Sequence, residues 1–420
     1  MTAPRPLGRD TGQEPGPHTP PVQGETDGSF RALLLPVSVT LAIQTFGAAA
    51  IYCAPVMAPV AGPALGVPAA WIGYYIALVY LGSMVGTLAA GGWIARFGAI
   101  RASQVGLALA CLGLFSGASA MLPLVALGAF FVGLGYGPGT PASSQILLRA
   151  SPPRLVAFTF SLKQTGVPLG AAIAGAAVPA MLLAFGWQAA AAAIGLACLA
   201  LAIAIGPTRR RYDLGLNARA PLSLRGVFRP LAMLRDLRLA EMALASLVFA
   251  GVQITLVAYL VTFLTESFAM SLVLAGMVMA VSQVASVIGR VGWGVIADRF
   301  VSRRAMLGLL GLGMGLSAAV TLLASPAWPL WLLFVFASVF GATAVGWNGV
   351  FLAEVARIAP GKVSEATGAC LFFTYFGVVV SPPLFSWALG WGGSYAGAYA
   401  IFGLPALAIG AWLLAYTPKS

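Results

Sequence analysis

Long, unbroken runs of hydrophobic residues alternate with short polar connections from about residue 32 to residue 416. Each run has about 20 residues, the length at which an α-helix crosses the hydrocarbon core of a bilayer. A membrane β-barrel would instead alternate apolar and polar residues along each strand. The pattern therefore predicts an all-α polytopic membrane protein with twelve transmembrane helices. The predicted spans are 32–60, 70–94, 102–121, 123–147, 155–178, 187–206, 240–264, 272–296, 305–323, 328–356, 363–388 and 392–416.

One long polar stretch interrupts this pattern between the sixth and seventh spans, and it is rich in arginine. It divides the spans into two groups of six. The first 31 residues are rich in proline, glycine and polar side chains, which predicts a disordered tail and not a cleavable signal peptide. The predicted organisation is a tail at 1–31, a six-helix bundle at 32–206, a basic linker at 207–239, a second six-helix bundle at 240–416 and a tail at 417–420.

The composition excludes most other classes of protein. Only 8% of the 420 residues are charged and 60% are hydrophobic, whereas a soluble domain carries about 25% charged residues. A soluble enzyme and a nucleic-acid-binding domain are therefore excluded. The four cysteines are far apart within apolar runs, and the one histidine, His18, lies in the first tail. We expect no enzymatic activity, no cofactor and no metal site.

Basic residues are distributed asymmetrically among the connections. Of the 23 lysines and arginines, all but Lys163 and Arg290 fall in the tails or in the connections on one side of the predicted bundle. Basic residues collect on the cytoplasmic side of membrane proteins. We therefore expect a multi-pass protein of a bacterial-type inner (plasma) membrane with both termini in the cytoplasm. The linker is expected to be a solvated segment near anionic lipid, and the protein to be monomeric.

Two connections repeat a motif at an offset of about 203 positions, which indicates an internal duplication. One copy joins the second and third spans, and the other joins the eighth and ninth. An aspartate precedes the arginine in the second copy, whereas the first copy has Ala95 there. The motif residues are Gly92, Arg96, Gly98 and Arg101 in the first copy, and Gly294, Asp298, Arg299 and Arg303 in the second.

The second copy matches Gly-x-x-x-Asp-Arg, the loop motif of the major facilitator superfamily, and the chain from about residue 30 resembles that family. The resemblance implies two pseudo-symmetric six-helix halves that rock about a central substrate site. It also implies that the motif residues form a charge-assisted latch at a helix end. Because Ala95 replaces the acid of the first copy, Asp298 is expected to carry most of this latch.

Two charged residues are predicted to lie inside the membrane. Arg290 is eight residues before Asp298, and Lys163 is nine residues after Arg154, which places both roughly 12–13 Å from a helix end. Such residues are costly and usually functional, although each could extend to the interface. The resemblance implies that the fifth and eighth spans face each other, so both cations are expected to bind one anionic substrate.

The stretch from Gly289 to Arg299 also resembles the eighth span of monocarboxylate transporters, in which a substrate-binding arginine precedes a glycine by four residues. Arg290 and Gly294 have this spacing. That family has an acid one turn before its arginine, where this chain has Ser286. Coupling of transport to protons therefore remains open.

Polar residues of other spans complete the candidate site. The resemblance implies that the first, fourth, seventh and tenth spans line the cavity, although any one of these residues could instead form an interhelical hydrogen bond. The candidates are Gln44, Tyr136, Gln253 and Asn348, together with Tyr375 of the eleventh span. Glu354 is expected to pair with Arg357, three residues away on the same helix.

The sequence thus predicts a secondary transporter that moves a small organic anion through a lipid bilayer by alternating access, with coupling to protons left open. Efflux of a hydrophobic or cationic drug in exchange for protons is the alternative within the same fold. The two embedded cations disfavour this alternative, because they would repel a cationic substrate. A sensor that transports nothing is the third possibility. The sequence does not identify the anion or its direction of transport.

Overall fold

The computed structural model describes residues 30–152, 156–220, 229–360 and 362–416. These residues contain twelve helices or helix pairs that are long and apolar enough to cross a membrane, which confirms the predicted all-α class. The predicted tails at 1–31 and 417–420 lie outside the described residues, except that Phe30 begins the first helix.

Sixteen α-helices occur among the described residues. In chain order they are α1 Phe30–Ala64, α2 Ile72–Phe97, α3 Ala99–Gly117, α4 Leu122–Tyr136, α5 Gly139–Ala150, α6 Val156–Gln164, α7 Gly166–Phe185, α8 Trp187–Ala204, α9 Arg209–Tyr212, α10 Leu237–Phe268, α11 Leu272–Arg299, α12 Arg303–Val320, α13 Leu330–Gly346, α14 Asn348–Ile358, α15 Val363–Gly392 and α16 Tyr395–Ala415. Spans four, five and ten each consist of two of these helices, and α9 is a short helix after span six.

The same pairs of helices pack together in both halves. In the first half α1 packs against α7, α2 against α4, and α3 against α8. In the second half the corresponding pairs are α10 with α15, α11 with α13, and α12 with α16. These are spans one and five, two and four, and three and six of each half. The arrangement confirms the predicted pair of pseudo-symmetric six-helix bundles.

The halves meet where α7 packs on α11, α15 on α2, and α1 on α10. Glycines permit the closest of these approaches. A Cβ atom on Gly175 of α7 would clash with the backbone of Gly276 on α11, and a Cβ on Gly276 would clash with Gly175. Small residues at such contacts let membrane helices approach backbone to backbone. The interface between spans five and eight is therefore a tight one.

Three spans are interrupted near the middle of the bundle. Span four changes from α4 to α5 at Gly137 and Pro138, and span ten changes from α13 to α14 at Trp347. Span five changes from α6 to α7 at Thr165, three residues before Pro168. The breaks in spans four and ten occupy corresponding positions of the two halves. In transporters such paired interruptions point to the substrate site.

Candidate substrate site

Arg290 lies at the point where these interrupted spans converge. It is on α11, nine residues before the end of that helix, and is half-buried. Its Nη2 donates to the Val345 carbonyl of α13 at 2.9 Å, and its Nη1 donates to the Gln164 carbonyl of α6 at 3.3 Å. Its Nε is buried and has no hydrogen-bond partner among the described residues. The guanidinium, which has five N–H donors, thus keeps unused donors, and Nε is one of them.

Both carbonyls that Arg290 contacts belong to the breaks in the helices. Gln164 would normally accept a hydrogen bond from the residue four positions later, but that residue is Pro168, which has no N–H. Val345 lies two residues before the change from α13 to α14 at Trp347. Trp293, one turn after Arg290, donates its indole N–H to the nearby Ala342 carbonyl at 2.8 Å. Side chains of α11 therefore donate hydrogen bonds to backbone carbonyls at or near the breaks in spans five and ten.

Tyrosines surround the guanidinium. Tyr52 and Tyr136 are close enough to Arg290 for electrostatic interaction. The hydroxyl of Tyr52 lies 3.1 Å from that of Tyr80, and Tyr80 in turn is near Tyr136 and Tyr375. Three of these rings come from the first half and Tyr375 from the second. Tyr52 and Tyr136 thus lie next to the cation, and Tyr80 and Tyr375 lie beside these two rings.

Two glutamines form hydrogen bonds with side chains at the breaks in spans four and ten. Gln44 on α1 donates from Nε2 to the Tyr136 hydroxyl at 2.7 Å. Gln253 on α10 accepts at Oε1 from Trp347 Nε1 at 2.9 Å and from Asn348 Nδ2 at 3.2 Å. Gln44 and Gln253 are 209 positions apart in the sequence and occupy the same place in the two halves. Hydrogen bonds therefore join the candidate residues of spans one and four in the first half, and those of spans seven and ten in the second half.

Lys163 has a different environment from Arg290. It precedes Gln164 on α6, so the two cations come from segments that touch, as the resemblance implies. Its side chain is only 1% exposed, in a helix that packs against α1 and α5. It forms no hydrogen bond or ion pair with the side chains that the structure describes. Lys163 is therefore a fully embedded cation, not one that reaches the membrane surface.

Acidic side chains of the described residues lie near helix ends and away from Arg290. Glu354 is the most buried, at 1% exposure, and accepts two hydrogen bonds from Arg357 at 2.8 and 2.6 Å. This i, i+3 pair agrees with the expectation from the sequence. Glu266 accepts from the Tyr395 hydroxyl at 3.0 Å. No described carboxylate forms a salt bridge with the Arg290 guanidinium.

An aspartate of the predicted linker binds to the first copy of the loop motif. Asp213, just after α9, accepts from the backbone N–H of Ile100 at 2.8 Å and of Arg101 at 3.1 Å. These are two of the free N–H groups at the start of α3. Gly98, with φ of 99°, lies directly against the Asp213 side chain and leaves no room for a Cβ. A carboxylate from elsewhere in the chain therefore sits at the loop that has Ala95 in place of its own acid.

Other residues of the linker also bind the first half. The N–H of Asn217 donates to the Ala95 carbonyl at 2.9 Å, and Arg149 donates to the Leu214 carbonyl at 2.9 Å. Gly92 is half-buried, and Arg96 is exposed with its guanidinium over the Phe97 ring. The part of the linker at 209–220 is thus attached to the first bundle, whereas it was expected to be solvated.

The second copy of the motif forms its ion pairs within its own half. Asp298 pairs with Arg303 at 3.1 Å, and both side chains are partly exposed. Arg304 contacts Glu241 on α10 at 2.7 Å. Gly294 has open space beside it and Arg299 is exposed. The latch role of Asp298 and Arg299 remains a prediction.

We call the face with these loops the basic face, and the face with the α1–α2 and α3–α4 connections the opposite face. Toward the opposite face, a tyrosine closes the gap between the halves. The Tyr259 hydroxyl on α10 lies 3.2 Å from the Ala70 carbonyl of the first half and 2.7 Å from the Pro382 carbonyl of the second. Its ring stacks on Phe385 at 4.4 Å. The structure is therefore closed on the opposite face.

Sequence reasoning missed several of these residues. Tyr80 received no role, although it lies among the other tyrosines. The position of Pro168, four residues after Gln164, marks a carbonyl without its helical donor and was an available signal. The 209-residue offset between Gln44 and Gln253 was a further available signal. Asp213 carries no local signal, since its contacts with Ile100 and Arg101 span more than 100 residues of sequence.

Comparison with known proteins places this geometry among transporters. The family model described as Major Facilitator Superfamily matches residues 40–356. A POT family transporter in complex with 5-aminolevulinic acid has a TM-score of 0.75 at 13% identity, over 94% of this chain and 98% of that chain. The nucleoside transporter NupG has a TM-score of 0.70 at 16% identity, over 91% and 99%.

A relative in sequence is the nitrate/nitrite transporter NrtP of Nostoc punctiforme (strain ATCC 29133 / PCC 73102). It is 25% identical over 145 residues, which are 32% of this chain and 29% of the relative. This chain therefore aligns with less than a third of that protein's length. The two structural neighbours are similar in fold.

Proposed function

Because this chain belongs to the major facilitator superfamily, we propose that it carries a small organic anion, of the monocarboxylate type, by alternating access. The bundles at 32–206 and 240–416 would rock about the site that contains Arg290. Membership of the family makes the chain a multi-pass membrane transporter. The anionic substrate, the direction of transport and coupling to protons are parts of the proposal.

The observation that carries the proposal is the uncompensated guanidinium of Arg290. It sits deep in a helix among hydroxyls and carbonyls, and no described acid neutralises it. An unpaired charge in such a place is costly unless a ligand compensates it. The guanidinium fork matches the two oxygens of a carboxylate. A negatively charged substrate would therefore be drawn to this site and a cation would be repelled.

The surroundings favour a small monoanion with an apolar body. Arg290 offers its unused donors, among them Nε, and Tyr52 and Tyr136 near it add hydroxyls and apolar ring surface. Lys163 adds a second embedded positive charge one residue before Gln164, without forming a second fork. The similarity to a nitrate/nitrite transporter is consistent with an anion, and it makes nitrate an obvious competitor to test.

Orientation follows from the charges on the loops. The basic face carries the arginines at 96, 101, 149, 299, 303 and 304. With this face in the cytoplasm of a bacterial-type cell, the state described here is closed toward the periplasm through Tyr259. A reporter fused after Glu266 should then be periplasmic, and one placed within residues 209–220 cytoplasmic.

Transport by purified protein in liposomes tests the proposal. Uptake of labelled lactate, benzoate, succinate, nitrate and ethidium would be measured in parallel. We expect saturable uptake of a monocarboxylate that Arg290→Gln abolishes. Arg238→Gln, which removes an exposed arginine of the same half outside the loop motif, is the control and should retain uptake. Uptake of ethidium with no uptake of any anion would refute the proposal.

One observation supports the drug-efflux alternative. A cavity of about 130 Å³ lies within the first half, toward the opposite face, and its lining is almost entirely apolar. Met57, Trp71, Tyr75 and Trp187 contribute its larger side chains. Such a cavity suits a hydrophobic compound. Efflux of ethidium that Met57→Trp blocks, at wild-type expression, would favour this alternative.

A further inference from the structure

Arg290 connects the two halves through backbone carbonyls. It belongs to α11 of the second half, and its Nη2 donates to Val345 of that same half. Its Nη1 donates to Gln164 of the first half. The guanidinium therefore stays with the second half and holds the first half by one hydrogen bond. This bond lies at the interface between spans five and eight, where the halves move relative to each other in a rocking transporter.

The sequence of span five makes the Gln164 carbonyl available for this bond. Pro168 cannot donate to it, since proline has no N–H. The neighbouring carbonyl of Leu162 is already occupied, because it accepts from the Thr165 hydroxyl at 2.6 Å. The first half thus presents one carbonyl that lacks its helical donor, at the depth of Arg290. A buried carbonyl without a donor is unfavourable, so it attracts the guanidinium.

We infer that the Gln164 carbonyl is an internal substitute for the carboxylate of the substrate. In the empty transporter it accepts from Arg290 Nη1. A bound anion, which is a stronger acceptor than a neutral carbonyl, takes over this Nη1 donor. The exchange breaks the bond between α6 and α11, while the Val345 bond keeps Arg290 on the second half.

Binding of the anion at Arg290 is then directly linked to movement of the two halves. The empty transporter is held in the state closed on the opposite face by a bond that the substrate itself removes. Binding of the anion then frees spans five and eight to shift. This inference rests on the proposed function, because it assumes that Arg290 receives the anion.

Replacing Pro168 with alanine tests the inference without altering the guanidinium. Alanine supplies an N–H that can donate to the Gln164 carbonyl within the helix, so this carbonyl competes less well for Arg290 Nη1. Pro141→Ala is the control, in α5, which packs on helices of the first half. The carbonyl four residues before Pro141 belongs to Gly137, which accepts from the Thr87 hydroxyl of the same half at 3.0 Å.

The first measurement uses no substrate. Spin labels at the exposed residues Met121 and Leu323 report the distance between the halves at the opposite face. In substrate-free protein, Pro168→Ala should shift this distance distribution toward longer values, because one bond that favours closure is weakened. Pro141→Ala should leave the distribution as in the unmutated protein. An unchanged distribution in Pro168→Ala would overturn the inference.

The second measurement is the affinity for a labelled monocarboxylate, with lactate as the probe. Pro168→Ala should bind it roughly two- to tenfold more tightly, because an internal competitor worth about one hydrogen bond is weakened. Weaker binding in Pro168→Ala would overturn the inference. A distance shift in a protein that transports no anion would refute the proposed function but support the bond between the halves. Unchanged distances in a protein that does transport anions would refute this inference alone.

Discussion

Replacing Arg290 with lysine retains the positive charge but removes the planar fork. In the structure the guanidinium donates at 2.9 Å to Val345 and at 3.3 Å to Gln164, and keeps Nε free for a ligand. The lysine ammonium is a single nitrogen on a stem of different length, so it cannot hold Val345 and also present two parallel donors to a carboxylate. We therefore expect the loss of one charged hydrogen bond to the anion.

Such a bond contributes about 1.5–3 kcal/mol, which corresponds to a roughly 10- to 150-fold weaker apparent affinity. Initial rates of uptake into proteoliposomes, measured over a range of monocarboxylate concentrations, would give this affinity. Arg299→Lys, an exposed position on the same helix, controls for expression and for effects of the substitution itself. An Arg290→Lys protein with the affinity of the unmutated transporter would refute the assignment of Arg290 to the anion site.

Three further changes test separate parts of the structure. Lys163→Gln should weaken uptake of succinate more than that of lactate, since it removes an embedded charge but no fork; equal effects on both anions would contradict its role in charge selection. Asp213→Ala should lower the free energy of unfolding by about 1–2 kcal/mol through loss of the α3 cap, seen as a lower Tm than that of Asp298→Ala, which alters an exposed pair. Tyr259→Phe should increase cysteine labelling at the opposite face by roughly two- to tenfold, as one hydrogen bond between the halves is lost. Tyr399→Phe, whose hydroxyl contacts Thr255 within one half, should not; equal labelling of both variants would show that Tyr259 does not close this face.

The fold could be predicted from the sequence because a bilayer imposes a fixed length on each apolar segment. The twelve apolar runs and the paired loop motifs were sufficient to predict the two six-helix bundles. The depth of Arg290 was also predictable, since it depends only on the number of residues to the end of its helix. The contacts of Arg290 were not, because they depend on how α11 is rotated toward α6 and α13.

The partners of the first loop motif could not be predicted for a related reason. Asp213 reaches Ile100 and Arg101 only after spans three to six, which lie between them and the linker, have folded. Local patterns of charge suggested a solvated linker, since arginines surround Asp213 in the sequence. The requirement that the free N–H groups of α3 find acceptors prevails over that local pattern.

The indole N–H of Trp347 determines how the Gln253 amide is oriented. An indole N–H can only donate, so it fixes the Gln253 amide with its oxygen toward Trp347 and its NH₂ group turned away. The second half therefore supplies both Arg290 and an amide oriented as a donor, whereas Gln44 of the first half already uses its NH₂ group on Tyr136. The guanidinium and the oriented amide thus both belong to the second half, and the first half contributes the embedded charge of Lys163. An anion held by these donors would move with the second bundle, and the first bundle would be the positively charged wall that opens and closes against it.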